Sequence, residues 1–290
     1  MILLLDVGNT RIKWAQLVDT ELTPQQALLH QGVSAREWLD KLFRERFRPT
    51  RVLVASVAGA EMTDVLRAES ERKWQIAAEF VASSAVAGGV TNAYAEATAL
   101  GVDRWLAVIA GHQLAGAACV IDAGTAVTVD VVNARGLHLG GLIIPGIEMM
   151  MSSLLDRTSE IAQKARKRPG NARTDATTAV QMFATNTGAA VANGALVTLA
   201  AAADRAAGEA VRQCGGSARV LLTGGDAERL ARAMQTKCEI VSDLVLRGLA
   251  VLAREPRAAG SPASGASARS RAASRASSTV PRRSSYNRRP

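Results

Sequence analysis

The chain has 290 residues, of which 48% are hydrophobic and only 3% aromatic, with three cysteines and a formal net charge of +9. Its length suits two domains, each with an Ala/Val/Leu-rich core. The scattered Cys119, Cys214 and Cys238 exclude a disulfide framework and a CxxC metal knuckle, and fit a reducing compartment. Eight arginines and no acidic residue fall within 256–290, which leaves +1 for the rest, so the basic balance belongs to the tail. Asp6 interrupts the N-terminal apolar run and no basic segment precedes it. No run reaches the roughly 20 apolar residues that span a bilayer. A soluble, cytoplasmic protein is expected.

Residues 1–18 read as a β-hairpin, with an apolar run ending in Asp6, a polar turn Val7-Gly8-Asn9-Thr10, and a second run from Ile12 to Val18. Gly8 lets the backbone approach a ligand closely. Successive amide N–H groups, with Asn9 and Thr10, can cradle phosphate oxygens. Asp6 can hold a hydrated Mg²⁺ and Lys13 can neutralise phosphate charge. A purely structural turn fits the same residues. Residues 25–30 suit a third strand. Ser34, with Glu37 three residues on, suits the N-cap of a helix to about Phe47. A buried strand at 51–57, a helix at 61–72 and a strand at 75–81 complete a βββαβα order.

The segment 91–118 holds the next informative residues. Trp105, Leu106, Ile109 and Ala110 have helical spacing, with Gly101, Asp103 and Arg104 at the helix start. Asp103 fits an N-cap. It equally fits a carboxylate aimed into a cleft, kept ionised by the helix N-terminus and therefore a weak base. Phosphoryl transfer tolerates a weak base, because its loose transition state depends more on positioning. Arg104 suits a charge-assisted pair with an anionic acceptor. His112 reads as a surface or packing residue.

At 120–132 the pattern of the first hairpin returns as VIDAGTAVTVDVV. Asp122, Gly124 and Thr125 match Asp6, Gly8 and Asn9 at a single offset of 116 residues. A glycine-rich apolar stretch at 136–145 follows, with Pro145 opening a helix to about residue 155. Met149, Met150 and Met151 form a packing stripe. Residues 160–176 read as a polar loop with five basic side chains. Thr187 suits the N-cap of a long Ala-rich helix, where Gly188 and Gly194 permit close approach of another helix, between subunits. A strand at 219–222, a Gly-Gly turn at 223–227, a helix at 227–234, a strand at 239–241 and a closing helix at 244–253 follow. From Pro256 the composition shifts to Ser, Ala, Arg, Gly and Pro, which cannot bury enough apolar surface to order itself. The tail reads as a disordered extension, with non-specific binding of phosphate polymers as its alternative.

Two hairpin turns in duplicated halves and a late Gly-Gly turn resemble the actin/sugar-kinase/heat-shock ATPase superfamily. More specifically, residues 1–254 resemble type III pantothenate kinases, the first enzymes of coenzyme A synthesis. The resemblance rests on D-x-G-N-T-x-x-K at 6–13, G-x-D-R-W at 101–105, I-D-A-G-T-A at 121–126, G-G-x-I-x-P-G at 140–146, N-T-x-x-A at 186–190 and T-G-G-D-A at 223–227. It implies an α/β fold of two duplicated βββαβα ribonuclease-H-like domains, 1–118 and 119–254, with an interdomain cleft and a disordered tail at 255–290. It also implies an ATP phosphate loop of Asp6, Val7, Gly8, Asn9, Thr10, Arg11, Ile12 and Lys13, with Thr125 as a further ATP contact. Asp103 is implied as the proton acceptor for the pantothenate hydroxyl. Tyr94, Gly101, Val102, Asp103, Arg104 and Thr187 are the implied pantothenate contacts. Asp122 is implied as the ligand of a monovalent cation, K⁺ or NH₄⁺, beside Mg²⁺ brought with ATP.

A homodimer with the substrate pocket near its interface is a further implication; membrane and nucleic-acid partners are not. Family members commonly carry a proline three residues after the tyrosine, and Ala97 in its place implies a less rigid loop. The competing readings are a kinase or hydrolase of the same superfamily acting on another small hydroxyl substrate, and a regulatory nucleic-acid-associated protein keeping the fold. Deleting 256–290 is expected to leave kinase kinetics nearly unchanged in a steady-state assay; a large loss would give the tail a working role.

Overall fold

The computed structural model describes residues 1–29, 48–167 and 182–255, with side chains to 165 in the second stretch. The helix expected from Ser34 to Phe47, part of the 160–176 segment and the tail lie outside the described residues. Strands β1 (Ile2–Val7) and β2 (Arg11–Val18) form the expected antiparallel hairpin, with Asp6 opposite Lys13 and Val7 opposite Ile12. The short β3 (Glu21–Leu22) and β4 (Gln26–Leu29) both pair with β2. On its other edge β1 runs parallel to β5 (Arg51–Ser56), which runs parallel to β6 (Glu79–Phe80). β1 and β5 are buried on both faces, which is why they read as unbroken apolar runs rather than alternating ones. Helix α1 (Ala60–Trp74) links β5 to β6.

After a two-stranded ribbon of β7 (Val86–Ala87) and β8 (Val90–Thr91) comes α2 (Val102–Ala115). A second sheet then repeats the arrangement. Its strands β9 (Ala118–Ala123), β10 (Ala126–Val132) and β11 (His138–Pro145) are antiparallel neighbours, β9 runs parallel to β12 (Arg219–Thr223) on its other edge, and β12 runs parallel to β13 (Glu239–Ile240). The two orders, β3-β2-β1-β5-β6 and β11-β10-β9-β12-β13, correspond strand for strand. The remaining helices are α3 (Ile147–Arg157), α4 (Ser159–Lys167), α5 (Thr187–Gln213), α6 (Ala227–Ala233) and α7 (Leu244–Arg254). Among the described residues no helix is long and apolar enough to cross a membrane.

The packing is layered. Trp105, Leu106 and Ile109 of α2, with Leu246 and Leu249 of α7, share one core cluster with Leu4 and Leu53 of the first sheet and Val120 and Leu221 of the second. Helix α2 is therefore apolar on nearly every side, as a helix enclosed between two sheets must be. Outside this middle layer, Leu66 of α1 covers the far face of the first sheet. Leu196 and Leu199 of α5 and Leu230 of α6 cover the far face of the second.

Four expectations change in detail. Residues 159–167 form α4 rather than a polar loop: Ala162 and Ala165 are buried at helical spacing, and Lys164 pairs with Glu160 at 2.6 Å along the outer face. The high charge of the segment masked that spacing. Pro145 ends β11 rather than opening a helix, and Gly146 is the N-cap of α3. Asn186, not Thr187, caps α5, since its Oδ1 accepts from Ala189 N at 2.9 Å. The strand expected over 75–81 shrinks to Glu79–Phe80, because α1 continues to Trp74 and stops at Gln75 in the left-handed region (φ 56°).

Gly248 fixes how closely α7 meets α2: a Cβ there would stand 2.2 Å from Leu106 O. Gly248→Val is therefore expected to destabilise the fold by about 1–3 kcal/mol or more through overpacking. Gly208 of α5 has open space around it, and Gly208→Ala is expected to stabilise by about 0.5–1 kcal/mol. Urea unfolding of the two variants checks both signs.

Candidate active site

Side-chain alternation along two strands sets the direction of the first carboxylates. On β1, Leu3, Leu5 and Val7 face α1, so Leu4 and Asp6 face the middle layer. On β9, Cys119, Ile121 and Ala123 face α5, so Val120 and Asp122 face the same middle layer from the other side. Helix α2 presents Asp103 from its first turn between them. The three carboxylates interact: Asp122 and Asp103 both act on Asp6, and Asp103 on Asp122.

The hairpin tips close on one another. Gly8 N donates to Arg11 O at 3.0 Å and Gly124 N donates to Ala126 O at 3.1 Å, making two tight turns. The hydroxyls of Thr10 and Thr125 meet across them at 3.3 Å. A third turn joins from β12, where Thr223 pairs with Asp122 in register and Asp226 N donates to Ala123 O at 2.9 Å. Gly224, at φ 97°, lies where a Cβ would stand 2.5 Å from Asp122 Oδ1. Arg11 reaches from the first turn to within 3.3 Å of where a Gly225 Cβ would be. Gly146 N donates to Thr125 O at 3.0 Å, and a Cβ on Gly146 would stand 2.4 Å from Gly124 O. Two glycine-rich motifs of the sequence are thus the close packing behind the second turn.

Of the remaining loop residues, Asn9 and Arg11 are exposed, and Lys13 lies 3.8 Å from Asp6. Val7 and Ile12 point into the outer core with Leu66, so only their backbone is available to a ligand. Burial pushes the Asp6 carboxyl up to about 7, with Lys13 opposing and the two other carboxylates adding to the rise. Burial also raises Asp122, against the pull of Lys13. Among the described residues no group of three His, Cys, Asp or Glu side chains is arranged to hold a metal ion.

The N-cap of α2 is Gly101 rather than Asp103. Asp103 is half-buried, and its Oδ1 accepts from Arg104 N at 2.8 Å. Val102 packs into the middle core. Arg104 already has a protein partner: its Nε and Nη2 donate to the two oxygens of Asp130 at 2.8 and 2.7 Å, and its Nη1 donates to Tyr94 OH at 3.2 Å. Burial works against the guanidinium charge, but the Asp130 and Tyr94 hydrogen bonds outweigh it and raise the Arg104 pKa. Asp130 also faces His138 Nε2 at 3.0 Å. Sequence reasoning missed Asp130 and His138. The available signal was a carboxylate set within the apolar run of β10, on the face that alternation turns toward α2.

The loop bearing Tyr94 is tied by Asn92. Its amide donates to Ser84 O and Ala97 O, and its Oδ1 accepts from Tyr94 N. These bonds hold the segment in which Ala97 implied a less rigid loop. Thr187 is the first residue of α5. It lines an open apolar cavity of about 370 Å³ with Met150, Met151, Leu154, Ile161 and Val191. No hydrogen bond links it to Tyr94 or Arg104 among the described residues.

Fold and site together define an α/β protein in which three glycine-bearing turns meet beside Asp6, Asp122 and Asp103. The family model for type III pantothenate kinase matches residues 2–209. A type III pantothenate kinase of Nitrosococcus oceani is 38% identical over 261 residues, 88% of this chain and 94% of that protein. One from Janthinobacterium sp. is 39% identical over 268 residues, 87% of this chain and 97% of that protein. The chain belongs to the type III pantothenate kinase family.

The raised Asp6 carboxyl gives a pH test. Between about 3.8 and 7 the folded protein keeps a proton that the unfolded chain has released, so stability falls as pH rises through that window. Asp6→Asn cannot lose that proton. Its melting temperature, measured without ligand, is expected to match the parent near pH 4 and to exceed it above pH 7.

Proposed function

We propose that this chain transfers the γ-phosphoryl group of ATP to the hydroxyl of pantothenate, giving 4'-phosphopantothenate in the first step of coenzyme A synthesis. The observation that carries the proposal is the meeting of the two Asp-x-Gly turns at Thr10 and Thr125, with Asp6, Asp122 and Asp103 directed at one space, in a chain of this family. The amides of residues 8–11 and the hydroxyls of Thr10 and Thr125 hold the phosphate oxygens. Lys13 offsets their charge. Asp103 orients the acceptor hydroxyl in line with the γ-phosphorus and takes its proton. Tyr94, Gly101, Val102, Arg104 and Thr187 hold the acceptor.

The carboxylates of Asp6 and Asp122 are hard oxygen donors. They fit a Mg²⁺ that keeps several waters and shares its remaining positions with phosphate. Their raised pKa values fit a place where a cation supplies the missing counter-charge. When bound, Mg²⁺ with ATP, and K⁺ or NH₄⁺ at Asp122, supply electrostatic stabilisation of the phosphoryl group. In this reading residues 1–118 and 119–254 are two duplicated ribonuclease-H-like domains, each contributing one hairpin to the cleft between them. Two chains pair through α5, which covers the apolar cavity beside Thr187, and the enzyme works in the cytoplasm.

ADP release with and without pantothenate, in potassium buffer, tests the reading. Release that depends on pantothenate supports it; release that depends on another alcohol in a substrate panel replaces it. Asp103→Asn is expected to lower turnover by about 10²–10⁴-fold while ATP binding, measured by calorimetry, persists. Near-full turnover in that variant would remove Asp103 from the role.

A further inference from the structure

We propose that Asp130 and His138 are positioning residues of the acceptor site, holding Arg104 and Tyr94 in the geometry that receives the carboxylate of the substrate. The inference rests on the assignment of Arg104 and Tyr94 as acceptor contacts given above. Neither Asp130 nor His138 touches the substrate in this proposal.

The network is almost wholly buried. Arg104, Asp130 and His138 are 7%, 2% and 4% exposed. An arginine has five N–H donors. Three of those on Arg104 are engaged, two by Asp130 and one by Tyr94 OH. Among the described residues the other two, one on each terminal nitrogen, have no partner and are open to an anionic group. The side-on fork to Asp130 fixes the plane of the guanidinium, so those two donors lie in a set plane and their direction is held. A lysine at this position would keep the charge and lose the direction.

His138 links the two halves of the group. Its Nδ1 accepts from Ala93 N at 3.5 Å, which assigns the ring proton to Nε2, directed at Asp130 Oδ1 3.0 Å away. Its ring stacks on Tyr94, with centroids 6.1 Å apart and planes 13° apart. The backbone reinforces the link, since Thr91 N donates to Gly136 O at 2.8 Å and pins the Tyr94 loop to the β10–β11 turn. Gly141 packs directly against the pair. A Cβ there would stand 2.1 Å from Val129 O, 2.4 Å from Asp130 Oδ1 and 2.7 Å from Arg104 Nη2. The glycine lets β11 lie close to both the β10 main chain and the ion pair.

The test is steady-state kinetics of the full-length protein on both substrates. His138→Phe keeps a flat ring and removes the hydrogen bond to Asp130; His138→Gln restores an amide donor near the position of Nε2. Asp130→Asn keeps the shape and removes the charge. Folding is checked by thermal unfolding, and where Asp130→Asn does not fold the two His138 variants decide. The expected result for His138→Phe, and for Asp130→Asn where it folds, is a KM for pantothenate raised about tenfold or more, with the KM for ATP unchanged and a smaller effect on kcat. His138→Gln is expected to recover most of the loss.

Arg104→Lys separates the two levels of the argument. If it leaves the KM for pantothenate unchanged, the assignment of the acceptor contacts has failed. If it raises that KM while folded His138→Phe does not, the positioning role alone has failed. Equal losses for both substrates in His138→Phe, without recovery in His138→Gln, would also overturn the proposal and leave His138 a structural residue.

Discussion

The molecule depends on one packing constraint, a helix enclosed between two sheets. Burying α2 on nearly all sides requires apolar surface above and below it, and the middle faces of β1 and β9 supply that surface. The same alternation that turns Leu4 and Val120 toward α2 turns Asp6 and Asp122 toward it as well. The enclosed helix begins where those strands end, so Asp103 joins them. Three carboxylates meet because the hydrophobic pattern of the strands leaves their side chains one shared side to face.

That arrangement works against stability in the ligand-free protein. Burial and mutual repulsion raise Asp6 and Asp122, and Lys13 offsets them only in part. Close backbone packing that only glycine allows recurs through the same layers. Gly146 lies against the second turn, Gly224 against Asp122 and Gly248 against α2. Each brings main chain where a side chain would push it away. Concentrating like charge in a rigid pocket is a familiar property of sites that handle anions through cations.

Much of this was legible in the sequence, for identifiable reasons. The two hairpins announce themselves because an apolar run stops at an aspartate and a glycine follows two residues later. The Gly-Gly turn after β12 was legible from its strand and helix flanks. What escaped were features whose signal is tertiary. Asp130 looks like a solvent-facing member of an alternating strand until α2 covers that face, and His138 has no local partner in sequence. Helix α4 was hidden because five of its nine residues are charged or amide-bearing, although its alanines repeat at helical spacing. The cap of α5 differed by one position because asparagine and threonine are adjacent and both can cap; the extended backbone at Asn186 decides between them.

The contact between Thr10 and Thr125 has a consequence for how the two tips meet an anion. Two hydroxyls 3.3 Å apart, one on each tip, make a long and weak bond, and either can donate. An entering oxyanion can take both donors at once, replacing one neutral contact with two charge-assisted ones. The tips therefore meet through a contact that an oxyanion can replace without loss of a hydrogen bond.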